Sequence, residues 1–368
     1  MRSLASRVLL PDSDWRYCDD ANHIVSMNNQ SRKMHVSLVW NKGIAALCDR
    51  RIPDEFPDGA TYSHVPSLAG MLFSSKLPDN LICDPERYAD VSEGELVWVR
   101  LSWLKAFVRQ VLPLIQNKFV LVTGDSDSCV PSEVGAFAEA IIDSPKVVHW
   151  YAQNYDGSVP RNKISPLPIG IDFHMLSERP IWGEQLSPAW QQEQDLLSIR
   201  EGLQPLHKRI PKVYVDFAWQ RFHPLHHRLY HPLIGTDLHH GRWRLGRRMR
   251  KNPLAFCQPG MLGRSEMWRK RGEFAFVLSP HGNGLDCHRT WEALALNHIV
   301  LVPSSSLNDL YTGLPVVPLD SWDQVTSENL AIWMDRYSAG AVEPGKLTNE
   351  YWIDRMRSFP AALRFATA

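Results

Sequence analysis

The chain has no surplus of charge: 40 Lys and Arg balance 40 Asp and Glu over 368 residues. A protein built to hold nucleic acid needs a basic excess, so that class is set aside. No stretch reaches the ~18 consecutive apolar residues of a membrane-spanning helix. The opening stretch MRSLASRVLLPDSDW has an apolar run too short for a secretory signal. The six cysteines (Cys18, Cys48, Cys83, Cys129, Cys257, Cys287) include no CxxC pair, so neither a disulfide scaffold nor a zinc ribbon is indicated. Reduced thiols and a cytoplasmic setting are expected, with peripheral membrane contact left open. No internal repeat or low-complexity tract is visible.

What is present is enough apolar sequence, 44%, for two cores of ordinary size. Residues 95–101 (ELVWVRL) read as a strand, and SWLKAFVRQVLPLI follows at helical spacing with Ser102 as its N-cap. KFVLVTGDS (118–126), SEVGAFAEAIID (132–143) and VVHWYAQN (147–154) continue as strand, helix and strand, and SPLPIGID is extended. A Gln- and Glu-rich stretch, 182–206, reads as a linking helix. A second series then runs through PKVYVDFAW (211–219), GRSEMWRKRGE (263–273), FAFVLSP (274–280), GLDCHRTWEALAL (284–296), HIVLVP (298–303), a short helix in SSLNDLYTGL, PVVPLD and a helix over 326–339 capped by Thr326. Alternating strands and helices predict parallel sheets with right-handed crossovers. The expected fold is α/β with two doubly wound Rossmann-like lobes, 1–180 and 181–368, binding ligands at the carboxyl ends of their strands.

The densest chemistry lies in SPHGNGLDCHRTWE, residues 279–292. An apolar strand stops at Pro280 and a helix starts within a few residues. Gly282 and Gly284 would let the backbone take positive φ and approach a ligand closely. His281 to Gly284 then form the approach for a phosphate, which the helix N-terminus stabilises. Arg289 adds a charge-assisted fork, and Glu292, three residues on, is placed to accept both hydroxyls of a ribose. The competing reading is an ordinary tight turn with Arg289 and Glu292 as a solvated pair. Five polar residues at one strand-to-helix junction (Asn283, Asp286, His288, Arg289, Glu292) favour the ligand site.

At these residues the chain resembles exostosin-like glycosyltransferases, a family of GT-B fold. The match is FVLSPHGNGLDCHRTWEALALNHIVLV, continued by LYTGLPVVPLDSW, with a fainter likeness in LVTGDSD, WYAQN and PLPIGID. It covers roughly 274–325 and 118–174, and none of the first ninety residues. Asn297 stands where the family has Gly after the helix, and Asn tolerates the same left-handed cap. The resemblance implies a nucleoside-diphosphate-sugar donor, a UDP-sugar first among candidates, held by the C-terminal lobe, with Arg289 on the diphosphate and Glu292 on the ribose. It implies a glycan or lipid-linked glycan acceptor facing the N-terminal lobe, a role in surface polysaccharide synthesis, and no resident metal.

Asp125 and Asp127, in GDSD after the 118–124 strand, are the candidates for the base that deprotonates the acceptor. A helix-capping turn is the alternative, a metal pair a lesser one, and Asp156 and Asp172 are reserves. Between 207 and 271 fifteen Lys or Arg face three acids, Asp216, Asp237 and Glu266. Most of these cations read as solvated surface, and Arg264 is the donor-side candidate. The histidines of HPLHHRLYHPLIGTDLHH, including His223, His226, His227 and His231, read as a wet surface rather than a metal cluster, because Pro224 and Pro232 break the helix. Among 14 tryptophans most belong in cores, while Trp150, Tyr151 or Trp322 near strand ends would stack on a sugar. Two other function classes stay open: a non-catalytic glycan- or nucleotide-binding module, and, from GNG alone, a dinucleotide-binding oxidoreductase.

Overall fold

The computed structural model describes residues 36–52, 85–159, 162–217, 236–338 and 343–366. The histidines at 223–231 lie outside these residues. Two five-stranded sheets, each wholly parallel, organise the chain. The first takes its strands in sequence order: β1 (Arg50–Ile52), β2 (Leu96–Arg100), β3 (Phe119–Gly124), β4 (Val147–Gln153) and β5 (Ile164–Leu167). The second comprises β6 (Ile210–Val215), β7 (Ala255–Cys257), β8 (Phe274–Leu278), β9 (Ile299–Pro303) and β10 (Val316–Leu319), in the spatial order β10-β9-β8-β6-β7. Strand order therefore reverses between β6 and β8, and a crevice opens there beyond the carboxyl ends. The described strands of the first sheet show no such reversal.

Helices α1 (Asn41–Leu47), α2 (Ala136–Asp143), α3 (His174–Glu178) and α4 (Ala189–Glu201) accompany the first sheet and the link. Helices α5 (Thr236–Met249), α6 (Arg264–Gly272), α7 (His288–Ala295) and α8 (Ser327–Tyr337) accompany the second. The last helix, α9 (Asn349–Ala366), crosses back to pack against α1 and β4. Asn349 seats it: its Nδ2 donates to the carbonyls of Val36 and Leu38 at 3.0 Å each, and its Oδ1 accepts from Trp40 N at 3.1 Å. No helix among the described residues is long and apolar enough to cross a membrane.

The expected periodicities hold where the core demands them. Along β9, Ile299 and Leu301 enter one cluster and Val300 and Val302 the other, as a strand buried on both faces requires. The cluster holding Val300 continues through Trp291 and Trp268 into Trp150, Trp98 and Trp40 beside the first sheet. One hydrophobic core thus joins the two sheets on this face. Burying a Trp or Leu here is worth roughly 1.5–3 kcal/mol, so the halves hold each other firmly.

Some local expectations are corrected. Ser102 lies inside a 3-10 turn, and the expected helix is a composite of 3-10 (Leu101–Trp103), α (Leu104–Ala106) and π (Phe107–Val111) turns. The bond from Leu112 N to Phe107 O, 2.9 Å, widens the last turn while keeping Phe107, Val111 and Ile115 buried. Helix α2 begins at Ala136 rather than 132, after Gly135 at φ 64. Strands β1, β5 and β7 are sheet edges of three or four residues, and Pro166 in β5 sits where no ladder donor is missed. Thr326 does cap α8, accepting from Asn329 N at 3.2 Å, and Asn297 takes the left-handed conformation, φ 58, after α7.

Candidate functional site

A cavity of about 480 Å³ occupies the crevice at the β6/β8 reversal. Its floor is Asp216 and Phe217, directly after β6, and one wall is the 258–262 segment after β7. The other walls come from Arg264 and Arg271 on α6, and from His288, Arg289 and Glu292 on the first turns of α7. The preceding half of the chain contributes Asp172 and Trp182. Carboxyl strand ends and a helix start thus converge on one space, as open α/β sheets arrange a ligand site.

The charges on this wall alternate. Arg264 Nη2 lies 3.2 Å from Glu292 Oε1, and Arg271 Nη1 lies 3.3 Å from Glu292 Oε2. Arg271 Nη2 and Arg289 Nε each reach an oxygen of Asp216 at 2.6 Å. Burial pushes the Asp216 carboxyl up, but Arg271 and then Arg289 outweigh it and hold the pKa below the ordinary carboxylate range. Burial likewise opposes the charge on Arg271, and Asp216 and Glu292 more than restore it. Three guanidinium groups against two carboxylates leave one positive charge, at the end where Arg289 is 17% exposed. Its Nε is spent on Asp216, so the two terminal NH2 groups form the available fork. Helix α7 has no side-chain cap at Cys287, so its first N–H groups add to the same positive end.

At the cavity edge, where Asp172 and His288 line it, Asp172, His174 and His288 offer ligand atoms all within 4.8 Å of one another. His174 Nδ1 lies 2.9 Å from Asp172 Oδ1, and the His174 and His288 ring centroids are 5.6 Å apart. Burial raises the Asp172 pKa, but His174 and then His288 bring it well below the usual range. His174 is raised overall, Asp172 outweighing the desolvation of its ring. His288 Nδ1 donates to the Gly170 carbonyl at 2.7 Å, since a carbonyl only accepts. Gly170 is needed here: its φ is 69, and a Cβ would sit 2.2 Å from Val39 O.

The structure gathers Arg264, Arg289 and Glu292 on the cavity, as the sequence suggests, but Arg264 is more than a donor contact. It is buried, donating to Gln192 Oε1 at 2.5 Å, to the Asp172 carbonyl and to Glu292, and so it clamps α4, the 172 segment and α7 together. His281, Gly282, Asn283 and Gly284 do not line this cavity. Neither Gly282 nor Gly284 has the positive φ expected of it. Gly284 instead permits close approach, since a Cβ would lie 2.5 Å from Asn154 Nδ2 and 2.6 Å from Asp127 O. His281 Nδ1 donates to Leu285 O at 2.7 Å, and Asn283 Nδ2 donates to Asp127 Oδ2 at 3.1 Å. The HGNG turn and the GDSD loop therefore meet one another at the junction of the halves.

That junction is fastened by Asp286. Its N donates to Asn154 Oδ1 at 2.9 Å, while its Oδ2 accepts from Ile169 N at 2.8 Å and Trp291 Nε1 at 2.9 Å. Burial raises its pKa, only partly offset by these bonds. Asp125, at φ 61, sits between Lys42 and Arg100, with Arg100 Nε 3.0 Å away. Burial raises its pKa, and these cations more than reverse that, so it is a stabilised anion and a weak proton acceptor. Asp127 is exposed. Asp156 accepts from Ser132 N and Ser158 N at 2.9 and 2.8 Å, a turn-forming role. Trp150 and Tyr151 are core residues, Trp150 Nε1 donating to Thr123 Oγ1 at 2.8 Å, and Trp322 packs on the second cluster. Sequence reasoning missed Arg271 and His174, and it met Asp216 only inside the expected strand 211–219 and as one of three acids in a basic stretch, whereas β6 ends at Val215 and leaves Asp216 just beyond it.

No protein-family model and no curated protein sequence matches the chain. Among solved structures it is similar to trehalose-6-phosphate from E. coli bound with UDP-2-fluoro glucose, at 9% identity and TM-score 0.34, over 75% of this chain and 73% of that one. It is also similar to α-glucosyltransferase (AGT) in complex with UDP, at 10% identity and TM-score 0.28, over 75% of this chain and 78% of that one. Likenesses of this size add no weight to a functional reading, and the fold class rests on the two parallel sheets themselves.

Proposed function

We propose that the chain is a glycosyltransferase of the GT-B kind, taking a sugar from a nucleoside diphosphate, UDP-sugars first, and passing it to a glycan or lipid-linked glycan acceptor. What carries this reading is the half-open Arg289 fork at the uncapped start of α7, above a cavity at the β6/β8 reversal. A diphosphate there receives charge-assisted bonds from Arg289 and the helix N–H groups, so the leaving group is neutralised without a metal. Glu292 is fixed by Arg264 and Arg271, and each of its oxygens keeps a lone pair for a ribose hydroxyl.

The donor side is 181–368 and the acceptor side 1–180, with α9 returning to buttress the latter. The acceptor side of the cavity carries Asp172, with His288 beside it, whereas neither Asp125 nor Asp127 lines the cavity. The resemblance of 274–325 to exostosin-like enzymes supports the same placement and a role in surface polysaccharide synthesis. Free Cys48, Cys129, Cys257 and Cys287 suit a reducing cytoplasm.

The test is calorimetry of UDP binding, paired with donor hydrolysis and transfer across a donor panel. Wild type binds and turns over, and Arg289→Ala binds UDP roughly 10–150-fold more weakly and loses turnover. Turnover unchanged in Arg289→Ala overturns the assignment. Binding without hydrolysis or transfer identifies a nucleotide-binding module instead.

A further inference from the structure

We propose that Asp172, His174 and His288 form a divalent transition-metal site that ties the two halves of the chain together. The donor set is two imidazoles and one carboxylate, which selects Zn²⁺, Co²⁺, Fe²⁺ or Mn²⁺ over Ca²⁺ or Mg²⁺. The three ligand atoms lie within 4.8 Å of one another. An ion about 2.0–2.2 Å from each holds its ligands roughly 3.0–3.5 Å apart, so closure by a small side-chain movement completes the shell. The closest pair, His174 Nδ1 and Asp172 Oδ1, is at 2.9 Å already, and the ion takes the place of the proton between them.

The surroundings are those of a supported ligand set. His288 donates Nδ1–H to the Gly170 carbonyl at 2.7 Å, which fixes the ring and leaves Nε2 for the ion, the usual outer-shell arrangement of a ligating histidine. Asp172 is buried, and its backbone is held by Arg264 donating to its carbonyl, while Met175 N bonds Oδ1 at 3.1 Å. Asp172 and His174 precede and open α3, whereas His288 opens α7 beside the second sheet. Asp172 and His288 line the cavity, so the ion's remaining positions face the ligand space. The site's existence does not rest on glycosyl transfer.

The test uses full-length protein stripped with a chelator and titrated with Zn²⁺ by calorimetry and with Co²⁺ by visible absorption. The expected result is one bound ion, a raised melting temperature, and affinity roughly 100-fold or more weaker in His288→Gln and in His174→Ala, since even outer-shell losses cost about 10–100-fold. His288→Gln, half-buried at the cavity edge, is the variant least dependent on refolding. Absence of saturable binding overturns the proposal. So does binding that survives both substitutions, which would place the ion elsewhere, such as the histidines at 223–231.

Discussion

Asp125 and Asp216 hold matching places in the two sheets. Each directly follows a strand, β3 or β6, and each is buried between two cations, Lys42 and Arg100 in one case, Arg271 and Arg289 in the other. Only the second borders the cavity. The difference is one of topology: strand order reverses beside β6, and among the described strands of the first sheet it does not. A strand-end carboxylate with paired cations is therefore a folding device first. It becomes part of a site where the sheet opens a crevice and a further acid, Glu292, extends the pairing.

The sharpest way to break this comparison is to remove the shared cation. Arg271→Met should cost about 3–5 kcal/mol in denaturant unfolding, because Asp216 and Glu292 are then buried with one partner fewer each. A loss under 1 kcal/mol would show that the ladder is not a fastening. Asp125→Asn and Asp216→Asn should each cost about 3 kcal/mol, stranding buried cations. Only Asp216→Asn should also weaken UDP binding, since it releases the Arg289 fork. Equal binding losses in the two variants would erase the distinction, and lost turnover at intact stability in Asp125→Asn would restore Asp125 as the base.

Arg289→Ala should lower UDP affinity by about 1.5–3 kcal/mol, the worth of hydrogen bonds to a charged group, with a smaller change in melting temperature.

The smallest effect is in pH. His149, beside Ser165 in the first sheet, is pushed down to about 4 by burial and then Arg355, and His298, against Arg209, is held well below 6.5 by burial and that arginine. A depressed histidine binds its proton more readily when unfolded, so stability is present above about 6.5 and falls as pH drops toward 4. Each contributes a slope of at most about 1.4 kcal/mol per pH unit. His149→Gln should flatten the acid limb of melting temperature against pH, and an unchanged limb would exclude that origin.

How much was legible in the sequence follows from the range of each interaction. Helices α6, α7 and α8 and strands β8, β9 and β10 are written in local periodicity and caps such as Thr326 and Asn297. The edge strands β1, β5 and β7 are too short to show a period, and the composite 101–111 turns depend on packing that periodicity does not encode. Arg289 and Glu292 were readable because one helix turn carries both. Asp216 was not, because its partners Arg271 and Arg289 lie 55 and 73 residues away. His174 escaped notice for the same reason: its relation to His288 exists only across the junction.

The HGNG turn shows where local information stops. Glycine spacing and a following helix mark a close backbone approach, and that much the sequence determined by itself, along with two parallel α/β series and the polar start of α7. What approaches Gly284 was decided by tertiary structure, which brings Asn154 and Asp127 there and turns the Arg289 face of α7 toward the cavity. A chain encodes the shape and polarity of each element locally. Which face meets a ligand and which meets a neighbour depends on how the two sheets share their core.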